Sequence, residues 1–262
     1  MAVPARASRP GPDSRRKRGH STFPSGRGRS RMSPFPLLAP GMTHWERSME
    51  RTIRLEPQDT IVFTGDSITA AERRRQAYRP LGYGYVHFAG NFLLARHPAL
   101  DLRIVNTGVS GDTITDLENR WQTDCLAHRP SILSILAGIN DVWRRTMEPD
   151  FAGNAVGPAK YEVTYEQLLV RAKEQCKCRL ILMEPFLFCR DQRDELYRAL
   201  MPYVEAVRRL AARHEALLVP LQSRIDRQIG EVPPQRWSED TVHPYLWAHA
   251  WIAQRWLEAT GL

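Results

Sequence analysis

No run of about 18 consecutive apolar residues occurs in the 262-residue chain, so a membrane-spanning helix is not expected. Cysteine is scarce. The four thiols (Cys125, Cys176, Cys178, Cys189) follow no zinc-ligand spacing: a single residue separates Cys176 from Cys178, and no His-x-x-x-His pair accompanies them. They are read as reduced thiols of a soluble, cytoplasmic protein, with no metal and no cofactor expected. Excess charge is absent from most of the chain. The net charge is +8, but residues 1–50 hold ten Lys/Arg against three Asp/Glu, which leaves +1 for everything after them. A basic nucleic-acid-binding face is therefore not expected on the folded part.

The N-terminal segment is what that charge describes. Residues 1–48 are rich in Pro, Gly and Arg, with seven prolines before Gly41 and almost no bulky apolar side chains, so they are expected to form a disordered tail. The run Arg15-Arg16-Lys17-Arg18 has the composition of a nuclear-import or RNA-binding patch, of a twin-arginine signal, or of sequence upstream of a later start at Met42 or Met49. Export finds little support, because the best apolar run, residues 35–40, is short and broken by proline.

From residue 49 to 262 the pattern is that of one α/β domain. Short β-branched runs at 59–64, 102–106, 132–137, 179–184 and 216–221 alternate with helical periodicity at 85–96, 113–126, 164–175, 191–214 and 245–259. Connections of that length exclude hairpins and imply right-handed crossovers. The expectation is a five-stranded parallel sheet in a three-layer α/β/α sandwich. Reactive groups in such sheets gather beyond the carboxyl ends of the strands.

Polar blocks stand at those ends. Gly65-Asp66-Ser67 follows the first run, Asn106-Thr-Gly-Val-Ser-Gly111-Asp112 the second and Gly138-Ile-Asn140-Asp141 the third, while Asp240-Thr-Val-His243 follows the fifth. A serine hydroxyl is a weak nucleophile and needs a base within hydrogen-bond reach. A histidine supplies one near neutrality, and a carboxylate three residues earlier can hold the tautomer it needs. Taken alone, Gly65-Asp66-Ser67 also reads as a helix N-cap turn. Asp66, Asn106, Asp112 and Asp141 read as loop-shaping groups, and His249 as a core or capping histidine.

The four blocks in this order resemble the SGNH (GDSL) hydrolase superfamily over residues 57–258. The resemblance implies a flavodoxin-like fold and acyl-ester hydrolysis without a cofactor. It implies Ser67 as nucleophile, His243 as base and Asp240 as its orienter, with an oxyanion hole made by the N–H groups of Ser67 and Gly111 and the side-chain amide of Asn140.

More narrowly, residues 81–86, 104–113, 116–121 and 138–144 are similar to the acetylxylan esterases of that superfamily, which implies a small acyl-ester substrate, an acetylated sugar. Tyr83, Tyr85, Trp143, Arg144 and Trp237 are candidates for substrate contact, since aromatic faces suit sugar rings, although Trp143 and Trp237 read equally well as core. Trp121, Trp251 and Trp256 read as core. Residues 148–161 are expected to form a loop over the site. Self-association is a further expectation. The competing readings are a lysophospholipase-like lipolytic esterase or thioesterase, and a protein that binds nucleic acid or a partner through its basic tail.

Overall fold

A computed structural model describes residues 52–73, 79–147 and 156–262. The expected N-terminal tail and most of the expected loop at 148–161 lie outside these residues. Backbone contacts divide the chain at Pro40, and all described residues belong to the unit 41–262.

Five parallel strands form the sheet: β1 (Thr60–Gly65), β2 (Arg103–Asn106), β3 (Ile132–Leu136), β4 (Arg179–Met183) and β5 (Leu217–Val219), in the order β2-β1-β3-β4-β5. The helices are α1 (Ser67–Ala70), α2 (Tyr85–Arg96), α3 (Ile114–Asn119), α4 (Trp121–Asp124), α5 (Ile139–Met147), α6 (Pro158–Cys176), α7 (Glu195–Arg213), α8 (Leu221–Gln228) and α9 (Leu246–Thr260). β1 and β3 are buried almost throughout, as both faces of the sheet are covered. The chain winds one way from β1 to β2 and the other way from β1 onward through β3. Right-handed crossovers then place the helix between β1 and β2 on one face and the helices between β2 and β5 on the other, and the reversal leaves a crevice beyond the ends of β1 and β3.

One layer joins α2 and α9, where Phe63 of β1 meets Tyr85 and Trp256 at ring distances of 6.0 and 5.1 Å. The Trp256 indole N–H donates to Ser134 of β3 (3.0 Å). The other layer joins α3, α5, α6 and α7 around edge-to-face contacts of Tyr161 with Tyr165 and Tyr203. The Tyr161 hydroxyl donates to the carbonyl of Ala137, just past β3, which satisfies a polar tip inside the core.

Several boundaries differ from expectation. Pro158 opens α6 at a position where its missing N–H costs nothing, so residues 158–161 are the first turn of a helix and not loop. The expected helix 113–126 breaks at Arg120 into α3 and α4. The fifth strand stops at Val219, because Pro220 cannot donate to a ladder and Leu221 starts α8. Helices α5 and α8 did not stand out from the sequence: each is a few turns long and follows directly on a strand end. Among the described residues, no helix is long and apolar enough to cross a membrane.

Gly65 closes β1 at φ +150°, and a Cβ there would lie 1.9 Å from the carbonyl oxygen of Leu136 on β3. Gly65→Ala is expected to cost roughly 2–4 kcal/mol of stability in urea unfolding; a native midpoint would contradict this close approach.

Candidate active site

Four segments supply the site: the loops after β1, β2 and β3, and the turn 238–243, which α8 separates from β5. After Gly65 the chain turns straight into α1, with Asp66 as N-cap: its Oδ1 accepts the N–H of Ile68 (3.0 Å). The capping reading of this block therefore holds for Asp66. It leaves Ser67, the first helical residue, with its hydroxyl turned to His243: Ser67 Oγ and His243 Nε2 are 2.8 Å apart. On the far side of the imidazole, His243 Nδ1 lies 2.5 Å from Asp240 Oδ2.

The aspartate is fixed from its own turn. Asp240 Oδ1 accepts the N–H of Val242 (3.0 Å), the N–H of His243 (2.7 Å) and the hydroxyl of Ser238 (2.9 Å). Burial works to raise the Asp240 carboxyl, but His243 and the three other donors outweigh it and hold the group well below the usual carboxylate range. Ser238 had not been singled out from the sequence; its signal is a hydroxyl two residues before the aspartate on the same turn. Thr241 adopts φ +68°, and its carbonyl accepts the N–H of Phe188 (2.9 Å), which ties the turn to the loop after β4.

The second loop is pressed against α1. A Cβ on Gly108 would lie 2.4 Å from the N of Ala70, so only glycine permits this approach. Asn106 clamps the contact: its amide donates to the carbonyls of Thr69 (2.7 Å) and Leu81 (3.0 Å), and its Oδ1 accepts the N–H of Gly108 (2.9 Å). Gly111 sits at φ +84°, and its carbonyl accepts from Arg144 Nη2 (2.5 Å). Asn140, in the first turn of α5, donates Nδ2–H to the carbonyl of Asp112 (3.0 Å). Among the described residues, neither the Ser67 N–H nor the Gly111 N–H donates to another protein group.

The remaining candidates divide. Trp237 is only 1% exposed, stacks on Phe188 and packs against Trp247 and Trp251, and donates its indole N–H to the Val232 carbonyl (3.0 Å). It is core supporting the Asp240–His243 turn, and the expectation of substrate contact is corrected: a buried indole with its polar tip satisfied offers no face to a ligand. Tyr85 is also buried, its hydroxyl 3.1 Å from Thr69 Oγ1. Tyr83 is exposed beneath the Arg79 guanidinium, 4.0 Å above its ring. Trp143 packs partly into the core, and Arg144 is partly exposed, 3.5 Å from Asp116. His249 is buried and accepts the Tyr85 N–H through Nδ1 (3.3 Å); burial, with His243 nearby, pushes it down to about 4, so it stays neutral near pH 7.

Two acids lie beneath the site. Burial pushes Asp66 up to about 7, against the pull of the Ile68 N–H, and pushes Asp141 up to about 8, against the pull of the Ile114 N–H. Among the described residues no group of three His, Cys, Asp or Glu side chains is placed to hold a metal ion.

Residues 63–251 match the model of the GDSL-like lipase/acylhydrolase family. The chain belongs to this family. Its membership makes it a carboxylic ester hydrolase. The chain is similar to the acetylxylan esterase of Geobacillus stearothermophilus, 34% identical over 207 residues that span 78% of this chain and 94% of that protein. The crystal structure of Axe2, an acetylxylan esterase from Geobacillus stearothermophilus, is 33% identical, with 80% of this chain and 97% of that chain covered at a TM-score of 0.76. LAE5, an α/β hydrolase from the metagenome of Lake Arreo, Spain, is 35% identical, with 79% and 97% covered at a TM-score of 0.75.

Asp66 ionises near pH 3.9 when unfolded but near 7 when folded. Its raised folded value contributes stability that is complete below pH 4 and is lost as pH rises toward 7. Asp66→Asn keeps the acceptor for Ile68 and is expected to flatten the fall in melting temperature between pH 4 and 7. An unchanged slope would contradict a protonated Asp66.

Proposed function

We propose that this family member is a serine esterase that removes acetyl groups from carbohydrates such as acetylated xylo-oligosaccharides, through an acyl-enzyme on Ser67. The observation that carries the reading is the continuous chain from Ser67 Oγ through His243 to Asp240. Ser67 Oγ attacks the ester carbonyl while His243 Nε2 takes its proton, and Asp240 holds the proton on Nδ1 and stabilises the imidazolium. Charge on the former carbonyl oxygen meets the N–H groups of Ser67 and Gly111 and the second amide hydrogen of Asn140, each such donor being worth about 2.7–4 kcal/mol. Collapse of the tetrahedral species expels the sugar hydroxyl, which receives the proton from His243. Water then repeats the sequence on the acyl-serine, releasing acetate and restoring Ser67.

The small-acyl, sugar-ester part rests on the relatives. Both Axe2 and the curated relative are acetylxylan esterases, and two Axe2 variants are named acetyl-xylooligosaccharide esterases. Catalytic mutants of Axe2 replace a serine, an aspartate and a histidine, the last two at the three-residue spacing of Asp240 and His243. Tyr83, exposed and braced by Arg79, offers a ring face for a sugar, and Arg144 and Trp143 flank the Asn140 turn. The same reading places the enzyme in a reducing, cytoplasmic compartment, which suits its four free thiols. It also includes self-association over the exposed Tyr245, Leu246 and Trp247.

Purified protein is expected to release acetate from acetylated xylo-oligosaccharides, with little cleavage of 4-nitrophenyl octanoate and none by Ser67→Ala. Asn140→Ala should lower kcat by roughly 10²–10³. Octanoate turnover without acetate release would instead make the protein a lipolytic esterase or thioesterase with the same triad.

A further inference from the structure

Arg120 stands at the break between α3 and α4, and only 15% of its side chain is exposed. Its guanidinium reaches four acceptors. Nε donates to Asp112 Oδ2 (2.5 Å), Nη1 to the Thr107 carbonyl (2.7 Å) and to Asp124 Oδ2 (3.3 Å), and Nη2 to the Gly65 carbonyl (3.0 Å).

Three of these acceptors belong to the segments that carry the oxyanion donors. Gly65 lies two residues before Ser67 and also accepts the N–H of Val109 (3.0 Å). Thr107 and Asp112 bracket the loop that presents Gly111. Asp112 in turn accepts Asn140 Nδ2–H on its own carbonyl. One planar cation thus touches the loop before the first donor and both ends of the loop bearing the second, and it holds the residue that orients the third. A guanidinium offers its N–H groups in fixed directions, so it sets distances that a flexible ammonium cannot. Asp112 and Asp124 sit against its charge, so its effect is one of geometry.

We propose that Arg120 is a positioning residue that fixes the spacing of the three oxyanion donors, and that its loss lowers turnover while leaving substrate binding nearly unchanged. The proposal rests on the assignment of Ser67, Gly111 and Asn140 made above. A ground-state ester places little charge on its carbonyl oxygen, whereas the tetrahedral species places a full charge there. Misplaced donors therefore appear in kcat and not in KM.

The test compares the full-length native protein with Arg120→Ala, Arg120→Lys, Asp112→Asn and Ser67→Ala. Each is measured for kcat and KM on 4-nitrophenyl acetate, for melting temperature, and for affinity toward phenylboronic acid, which forms a tetrahedral adduct with an active-site serine. Arg120→Ala is expected to lose about 10²-fold in kcat, with KM within about twofold and boronate affinity weakened in parallel with kcat. Arg120→Lys should fall between, since one ammonium reaches fewer of the acceptors. If Arg120→Ala does not fold, the same split is expected in Arg120→Lys and Asp112→Asn.

Native kcat in every folded variant at Arg120 and Asp112 would overturn the proposal. So would a loss confined to KM, or one accounted for by the folded fraction with boronate affinity per folded molecule unchanged. Turnover by Ser67→Ala would overturn the serine assignment itself, which separates that failure from one of Arg120 alone.

Discussion

The 2.8 Å contact between Ser67 Oγ and His243 Nε2 joins residues 176 positions apart, and neither partner is placed by its own neighbourhood alone. Ser67 is fixed by the end of β1, where the only side chain that fits at position 65 is a hydrogen, and by Asn106 and Gly108 pressing on α1. His243 is fixed by a turn whose carboxylate gathers three donors besides the imidazole, whose Thr241 carbonyl is tied to the loop after β4, and whose Trp237 is stacked into the core. The parallel sheet brings these two supports together, because its strand order reverses at β1 and opens a crevice at the strand ends.

Carboxylates around this contact are separated by environment. Asp240 is half-exposed and richly hydrogen-bonded, so it keeps its charge beside the His243 imidazole. Asp66 and Asp141 are buried beneath the site with fewer donors, and burial lifts both toward or above neutrality. The chain thus places a stable negative charge on the far side of His243 and keeps further charge from accumulating under Ser67. Positive charge is balanced likewise: Arg120 is offset by Asp112 and Asp124, and Arg144 by Asp116.

Much of this was legible in the chain itself. Five β-branched runs separated by helical periods mark the parallel sheet, and three of the four polar blocks stand just past β1, β2 and β3; the fourth, 240–243, does not follow β5 directly, because α8 comes between them. What escaped has physical reasons. Helices α5 and α8 are short and follow their strands after only one or two residues, Ala137-Gly138 and Pro220, and α5 begins inside a block whose polar residues read as loop. Trp237, three residues before Asp240, has the same letter whether it faces solvent or core, and only the stack on Phe188 decides. Arg120 lies on a helical stretch where a lone arginine reads as a solvated face; its four acceptors come from three separate segments that only the folded chain assembles.

The central claim is that acyl transfer passes through Ser67. The most direct measurement is mass spectrometry of protein acid-quenched during turnover of an acetyl ester, with the modified residue located by peptide mapping. The account predicts an acetyl group on the peptide carrying Ser67, accumulating further in His243→Ala supplied with an activated ester, because deacylation then lacks its base. An acetyl group found reproducibly on another residue, or turnover with no acylated peptide at any quench time in either protein, would contradict it.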